Sequence, residues 1–341
     1  MSVLERIPVP VIKAAKAVLP AKMVTAARNA VMRQYELEHV VVRESAARAW
    51  FNRHVLRLYY PPSMVSQQSS VKRWVDKNIK HELPLLHHFE VHLTDHCNLN
   101  CKGCFHFSNL YKPNFADLES YRSEMQEMAK KLRVTQMRLM GGEPLLHPQV
   151  NDFMRVTREC LPDTRICVLT NGILVTKMPP EFWQTLAQTN TMMLCDAYPI
   201  GLPVDEINAL AEKYGVHLEW TDDRNLFFNT PIDLEGKQDP ALEFRRCSGI
   251  SNCPNYRNGR LYPCARIAYI EAFEERFALT GMDGTDADSI SIRDSTPEEI
   301  MEFMTNPVPW CSHCDYDHFY MYGWDRTERA IEEWTNSPAT P

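Results

Sequence analysis

The stretch "HFEVHLTDHCNLNCKGC", residues 88–104, joins a short β-prone run to three closely spaced cysteines. Cys97, Cys101 and Cys104 have the spacing C-x3-C-x2-C, with no fourth cysteine beside them. Three thiolates can hold three irons of a cubane iron–sulfur cluster and leave the fourth iron open to another ligand. Structural zinc normally has four protein ligands, so the spacing favours a cluster, although His96 and His106 could complete a zinc site.

From residue 88 onward, β-prone runs alternate with helical patterns. The sequence predicts strands over 88–94, 135–142, 164–172, 191–198 and 216–222, and helices over 118–132, 149–161 and 204–214 and after Pro179-Pro180. Strands that alternate with helices are parallel and joined by right-handed crossovers, as an open sheet or a barrel. In both architectures the residues just after the strands form the functional site.

Candidate site residues follow four of these strands. The three cysteines follow the first, "GGEP" (141–144) the second and "TNG" (170–172) the third, while Cys195 and Asp196 lie at the end of the fourth. Glycines permit a close backbone approach, and a carboxylate with carbonyl groups suits an ammonium ligand. The sequence therefore predicts one site at the carboxyl edge of the sheet.

The composition is that of an ordinary globular chain with unusually many cysteines. Of 341 residues, 44% are hydrophobic and 24% are charged, and the cysteines number eleven, an odd count that fits a disulfide framework poorly. No signal peptide and no run of 18 apolar residues is apparent. We therefore expect a reducing, cytoplasmic setting, in which clustered cysteines serve metal or redox sites.

Charge divides the chain near residue 80. Residues 1–80 hold 14 Lys and Arg against 5 Asp and Glu, about +9, and the remainder holds 23 against 39, about −16. The basic part has helical periodicity, which predicts an arm packed on the main domain. Its basic face alternatively predicts attachment to a membrane surface or another anionic partner. We expect no nucleic-acid partner.

The ordered motifs resemble the radical S-adenosylmethionine (SAM) superfamily over roughly residues 86–320. The resemblance implies an α/β fold with a partial (βα)6 TIM-like barrel, in which Cys97, Cys101 and Cys104 ligate a four-iron four-sulfur cluster that chelates SAM. It also implies that the SAM amino group binds at Gly141, Gly142, Glu143 and Pro144, and that its ribose lies near Thr170 and Asn171. Family members usually have an apolar or aromatic residue before the third cysteine to cover the adenine. Here Gly103 holds that position, which leaves Phe105, or alternatively Phe107, for the role.

Further cysteines resemble a C-terminal SPASM module in its shortened twitch form. Cys247, Gly259 and Cys264 match its opening pattern, and Cys311 and Cys314 match its closing pair. The resemblance implies one auxiliary four-iron cluster held by Cys247, Cys264, Cys311 and Cys314, with a zinc ribbon from the same residues as the alternative. The implied organisation is a helical basic extension over 1–85, a barrel over 86–239, and a small cysteine-rich module with a C-terminal helix over 240–341.

The cysteines outside these ligand sets have separate predictions. Cys160 and Cys167 are expected in the core, where a free cysteine is a small hydrophobe. Cys195, at a strand end, is either core or catalytic, and Cys253 lies between two auxiliary ligands. We name Cys253 and Cys195 as candidate hydrogen-atom donors.

The family resemblance implies reductive cleavage of SAM to a 5'-deoxyadenosyl radical, which removes hydrogen from a substrate. The twitch form resembles dehydrogenases and epimerases of aminocyclitols and aminoglycosides, so we expect a carbohydrate-like or cyclitol-like small molecule and an oxidoreductase or epimerase. A flavodoxin or ferredoxin is the expected electron donor. Alternatives are a maturase of ribosomal peptides and a non-catalytic zinc-binding adaptor, which would leave "GGEP" unexplained.

Overall fold

Five parallel strands stand side by side in the order of the sequence. The computed structural model describes residues 83–221, 226–247, 254–282 and 284–335. The strands are β1 (Leu85–Thr94), β2 (Arg133–Gly141), β3 (Arg165–Thr170), β4 (Thr191–Cys195) and β5 (Leu218–Trp220). The helices that follow β1 to β4 are α1 (Leu118–Lys131), α2 (Val150–Cys160), α3 (Pro180–Gln188) and α4 (Val204–Tyr214). The predicted alternation of strands and helices is therefore present. Strands β3 and β4 end at Thr170 and Cys195, before the predicted ends at residues 172 and 198.

The sheet continues beyond β1 with strands from the C-terminal part of the chain. Its order is β5-β4-β3-β2-β1-β7-β8-β9, in which β7 (Asn255–Arg257) runs parallel to β1, and β8 (Arg260–Tyr262) and β9 (Ile290–Ser291) follow antiparallel. The predicted module that begins at residue 240 thus shares a sheet with the predicted barrel.

The next strand after β5 leaves this sheet. Strand β6 (Leu226–Asn229) pairs antiparallel with β10 (Tyr320–Gly323) in a separate two-stranded sheet. In the described ranges, the sheet therefore holds six parallel strands, namely β1 to β5, which are consecutive, and β7 beside β1. The remaining helices are α5 (Pro240–Arg246), α6 (Ala265–Tyr269), α7 (Glu271–Phe277), α8 (Pro297–Phe303) and α9 (Glu332–Thr335).

The two faces of β1 differ in chemistry because successive side chains point to opposite sides of a strand. Phe89, Val91 and Leu93 are buried in the main core, whereas His88, Glu90 and His92 are buried outside it. The main core packs the sheet against α1 to α4, and a second core gathers apolar residues of the C-terminal part, including Phe273, Trp310 and Trp334. The cysteine loop after β1 contributes to this second core, through Phe107.

The predicted basic extension lies almost entirely outside the described residues. The predictions made for residues 1–80, namely a packed helical arm or an anionic partner, therefore stay predictions. Among the residues that the structure describes, no helix is long and apolar enough to cross a membrane.

Candidate functional site

The cysteine loop follows β1, and its three thiols are near neighbours. Burial raises the pKa of each thiol, in the case of Cys101 to about 12. The mutual repulsion of Cys97, Cys101 and Cys104 adds to this rise for Cys97. Three thiolates together are therefore unfavourable unless a cation accompanies them, and metal ligands must be deprotonated to bind. The donor set has the chemistry that an iron–sulfur cluster requires.

Hydrogen-bond donors surround the thiol sulfurs. Cys97 Sγ accepts from the backbone N–H of Leu99 at 3.3 Å and from Asn171 Nδ2 at 3.5 Å. Cys101 Sγ accepts from the indole N–H of Trp324 at 3.3 Å. Such donors stabilise sulfur that carries negative charge. Within the described residues, no group of three or more His, Cys, Asp or Glu side chains is arranged to hold a single metal ion.

"GGEP" touches the backbone of the cysteine loop. Gly142 N–H donates to the carbonyl of Thr94 at 2.8 Å, and Glu143 N–H donates to the carbonyl of His96 at 3.1 Å. A Cβ atom at Gly142 would lie 2.0 Å from the His96 oxygen, and one at Gly141 would lie 2.1 Å from the Thr94 oxygen. Both glycines are therefore required for the end of β2 to approach the end of β1.

Glu143 joins the second motif to the third. Its side chain is fully buried, and its carboxylate accepts from the Thr170 hydroxyl at 2.7 Å, the Asn171 backbone N–H at 2.9 Å and the Leu145 N–H at 3.0 Å. Burial raises the pKa of Glu143 to about 7, against the opposing effect of these donors. The Asn171 side chain continues the link to Cys97. Three predicted motifs thus form one contiguous site at the carboxyl edge of the sheet.

The two phenylalanines that we considered for covering the adenine have different surroundings, and their role stays a prediction. Phe107 is fully buried in the second core, 5.4 Å from Phe273 and 6.1 Å from Trp334 between ring centroids. The ring of Phe105 lies 4.5 Å from the guanidinium of Arg266.

Sequence reasoning missed a group of aromatic rings beside Cys101. Tyr198, which follows β4, stacks on Phe227 at 5.9 Å and lies 6.4 Å from Trp324, and Phe227 in turn lies 6.0 Å from Tyr322. The density of aromatic residues in "DHFYMYGW", residues 317–324, was the available signal. No signal in the sequence indicated the pairing of β10 with β6, which brings these residues to the site.

A network of polar side chains, which includes His106, lies at the polar face of β1. His92 Nε2 is 2.8 Å from His106 Nδ1, and His92 Nδ1 is 3.2 Å from Asp95 Oδ1. The ring of Tyr269 stacks on His92 at 3.7 Å, and Arg257 reaches Asp95 at 3.3 Å. Burial lowers the pKa of His106 to about 3, so this imidazole is neutral at ordinary pH. The network joins Arg257 and Tyr269, from the C-terminal part of the chain, to the polar face of β1.

The two cysteines of the central strands face opposite sides of the sheet. Cys195 is fully buried and belongs to the main core together with Met193, its neighbour on the same face of β4. Cys167 is also fully buried but lies outside that core, paired in register with Arg138. Cys253, the other candidate donor, lies outside the described residues.

Four cysteines of the C-terminal part surround one small cavity. Cys247, Cys264, Cys311 and Cys314 line a void of about 20 Å³ together with apolar side chains such as Phe244 and Trp310. Burial raises the pKa of Cys264 and of Cys311 to about 12, and electrostatic repulsion from Cys247 contributes to the rise in both. The four thiols supply the donor chemistry of a four-thiolate site around one cavity.

A larger cavity, of about 390 Å³, lies at the other end of the strands. Arg165, Thr191 and Val216 line it, near the amino ends of β3, β4 and β5. No residue of the predicted site contributes to it. The size of this cavity therefore does not identify the functional site.

Comparisons with known proteins match the strands that carry these motifs. Residues 91–217 match the model of the Radical SAM superfamily. The antilisterial bacteriocin subtilosin biosynthesis protein AlbA of Bacillus subtilis (strain 168) is 27% identical over 128 residues, which are 38% of this chain and 26% of that protein. GTP 3',8-cyclase of Peptoclostridium acidaminophilum is 28% identical over 99 residues, which are 28% of this chain and 30% of the cyclase. The chain thus matches about a quarter to a third of the length of these relatives.

Among solved structures, the chain is similar to BtrN in complex with AdoMet and 2-DOIA. The identity is 16%, the similarity covers 67% of this chain and 86% of BtrN, and the TM-score is 0.41.

Proposed function

We propose that this protein is a radical SAM enzyme that abstracts hydrogen from a carbohydrate-like or cyclitol-like substrate, and the match of residues 91–217 to the model of the Radical SAM superfamily supports this proposal. The outcome is epimerisation or dehydrogenation. A small electron carrier such as flavodoxin or ferredoxin supplies the electrons, and the setting is cytoplasmic.

One observation carries the proposal: the motifs at the ends of β1, β2 and β3 contact one another. The Glu143 carboxylate accepts from Asn171, and Asn171 in turn donates to Cys97 Sγ. Parallel strands place their carboxyl ends at one edge of a sheet, where ligands bind. A chance occurrence of "GGEP" and C-x3-C-x2-C would not explain contacts between them.

In this proposal Cys97, Cys101 and Cys104 hold the four-iron four-sulfur cluster. Gly141, Gly142, Glu143 and Pro144 lie at the SAM amino group, and Thr170 and Asn171 lie near its ribose. When bound, the cluster and SAM together supply a 5'-deoxyadenosyl radical after one-electron reduction. The chain's own residues orient the thiols through N–H donors and exclude water through the burial of Glu143 and Cys101.

We further propose an auxiliary four-iron cluster of the twitch type at Cys247, Cys264, Cys311 and Cys314. The cavity that these four thiols line supports a ligand set of four. The nearby charge of Arg266, a fully buried cation, lowers the pKa of Cys314 against the larger effect of burial. A buried cation favours thiolates over thiols, and thus favours metal binding.

The chemistry of the polar face of the sheet supports a polar substrate. Glu90 is buried there, accepts from Arg138 at 3.0 Å and lies 3.4 Å from His88 Nε2. Buried charges are costly unless they are paired, so the sequence keeps this face of β1 polar in spite of the cost, as a polar substrate would require. We therefore favour a substrate rich in hydroxyl or amino groups.

Peptide modification is the second candidate. The relative from Bacillus subtilis that matches over 128 residues is named for biosynthesis of a bacteriocin. A substrate-dependent assay separates the two classes.

The test is formation of 5'-deoxyadenosine by anaerobically reconstituted protein with SAM, dithionite and panels of sugars, aminocyclitols and peptides. Cys101→Ala should abolish it, because alanine cannot bind iron, whereas Cys160→Ala, which alters a half-buried thiol at the end of α2, should retain it. Iron analysis should find about eight irons per chain for two cubanes. Colourless protein that binds only zinc, or product from the Cys101 variant, would refute the proposal.

A further inference from the structure

The C-terminal strap, residues 322–334, lies along the cysteine loop. Cys101 and Arg326 form an antiparallel bridge. Lys102 N–H donates to the Asp325 carbonyl at 2.9 Å, and Thr327 N–H donates to the Asn100 carbonyl at 3.1 Å. The strap therefore adds a short piece of backbone ladder to the segment that carries the second and third cysteines.

Side chains of the strap hold the rest of this segment. The Tyr322 hydroxyl donates to the Lys102 carbonyl at 2.8 Å, and the Trp334 indole N–H donates to the Cys104 carbonyl at 3.0 Å. The Glu333 carboxylate accepts from the Gly103 N–H at 3.1 Å. These bonds fix the backbone on both sides of the third cysteine.

The strap also explains why glycine precedes the third cysteine. Gly103 has φ +59°, and a Cβ atom there would lie 2.8 Å from the Tyr322 oxygen and 3.0 Å from the Glu333 carbonyl. An apolar or aromatic side chain, the usual choice of the family at this position, would displace the strap. In this chain the strap occupies the space that the larger residue would need.

One strap residue reaches a thiol directly. The indole N–H of Trp324 donates to Cys101 Sγ at 3.3 Å, and the ring lies 6.4 Å from that of Tyr198. The side chain of Tyr198 also hydrogen-bonds to Cys101. Trp324 thus stabilises negative charge on this sulfur.

We propose that Trp324 is a positioning residue for the cluster of Cys97, Cys101 and Cys104, and that its N–H raises the reduction potential of that cluster. The inference rests on the proposed function. Reduction adds an electron whose charge spreads onto the sulfurs, so a donor to Cys101 Sγ stabilises the reduced form more than the oxidised form. The strap keeps the donor in place, and is therefore part of the reducing site.

The experiment is a redox titration of full-length, reconstituted protein, followed by electron paramagnetic resonance with and without SAM. The signal that SAM perturbs identifies the cluster in question and separates it from an auxiliary cluster. Trp324→Phe, which removes the N–H, should shift the midpoint potential of this signal to a more negative value without loss of iron. Trp220→Phe removes an indole N–H that donates to Asn208 Oδ1 at 2.9 Å and to no sulfur, and should leave the midpoint unchanged.

Benzothienylalanine at position 324 provides a second test if the smaller phenylalanine disturbs the fold. It replaces the indole N–H by sulfur at nearly unchanged size, and the same negative shift is expected. An unchanged midpoint in both variants, with the SAM-responsive signal intact, would overturn the role of Trp324 and leave the proposed function standing. Wild-type protein without any SAM-responsive signal would overturn the proposed function itself, and this inference with it.

Discussion

The Glu143 carboxylate accepts a hydrogen bond from the backbone N–H of Asn171 at 2.9 Å, and this bond joins two residues that stand 28 apart in the chain, in the motifs that follow neighbouring strands. Glu143→Gln should break it, because all three partners of the carboxylate are donors and an amide presents a donor of its own. We expect a loss of about 1–3 kcal/mol in the free energy of unfolding, the usual cost of an unsatisfied buried group. Urea denaturation measures this loss. Glu212→Gln, at an exposed position of α4, is the control and should cost almost nothing.

The stability of the protein should depend on pH through the same carboxyl group, that of Glu143. Burial raises the pKa of Glu143 from 4.5 to about 7, so the folded protein binds a proton that the unfolded chain releases. Its contribution to stability is therefore fully present below pH 4.5 and is lost as the pH rises through about 7. The difference in unfolding free energy between wild type and Glu143→Gln should change across this interval. A difference that is independent of pH would contradict the raised pKa.

Gly142→Ala should disrupt the junction of β1 and β2. The new Cβ would lie 2.0 Å from the His96 oxygen and 2.7 Å from the Cys97 nitrogen, and backbone atoms cannot swing aside. We expect destabilisation of about 1–3 kcal/mol, typical of overpacking, together with reduced iron loading. Gly281→Ala is a useful comparison, since its Cβ meets nothing within 4 Å and only the positive φ of +86° is strained. Equal iron loading in the two variants would show that the close approach does not matter to the metal site.

The sequence predicted local features more successfully than distant pairings. The strand–helix alternation from β1 to α4 follows from periodicity, and the grouping of the motifs follows from the common edge of parallel strands. Periodicity carries no signal for strand partners that are far apart in the chain. The pairing of β6 with β10 and the addition of β7 beside β1 were therefore not foreseen.

The same limit affected individual side chains. The alternation of faces along β4 places Cys195 with Met193 in the main core, but its phase could not be fixed until the neighbouring strands were known. Phe105 and Phe107 were chosen for their nearness to the third cysteine in sequence. Their actual contacts, with Arg266 and with Phe273, come from a part of the chain about 160 residues away.

Replacing both Cys311 and Cys314 by alanine should remove about half of the iron, because these thiols would supply two of four ligands to one of two cubanes. The C-terminal part should also lose stability, since a small cysteine-rich module takes much of its folding energy from its metal. Iron analysis and limited proteolysis measure the two effects. Production of 5'-deoxyadenosine should persist in part, because the other three cysteines are untouched. Unchanged iron content would show that these two cysteines are not cluster ligands.

The last prediction concerns how the substrate radical is quenched. In an epimerisation, a thiol returns a hydrogen atom to the opposite face of the substrate carbon and becomes a thiyl radical. One electron from the external carrier or the auxiliary cluster, and one proton from solvent, then restore the thiol. Cys195 is fully buried in the main core, so its replacement by alanine should retain turnover. Cys253, which lies between two auxiliary ligands in the sequence, is therefore the favoured donor.

Cys253→Ala should still form 5'-deoxyadenosine but accumulate no inverted product, whereas wild-type protein in deuterium oxide should place one solvent deuterium in the product. Mass spectrometry and chiral analysis of the product measure both outcomes, with Cys160→Ala as the control for loss of an unrelated thiol. Dehydrogenation makes the opposite prediction, because the substrate radical then loses a proton and passes an electron to the auxiliary cluster. A product two hydrogens lighter than the substrate, formed normally by both the Cys253 and the Cys195 variants, would exclude a thiol donor and establish dehydrogenation.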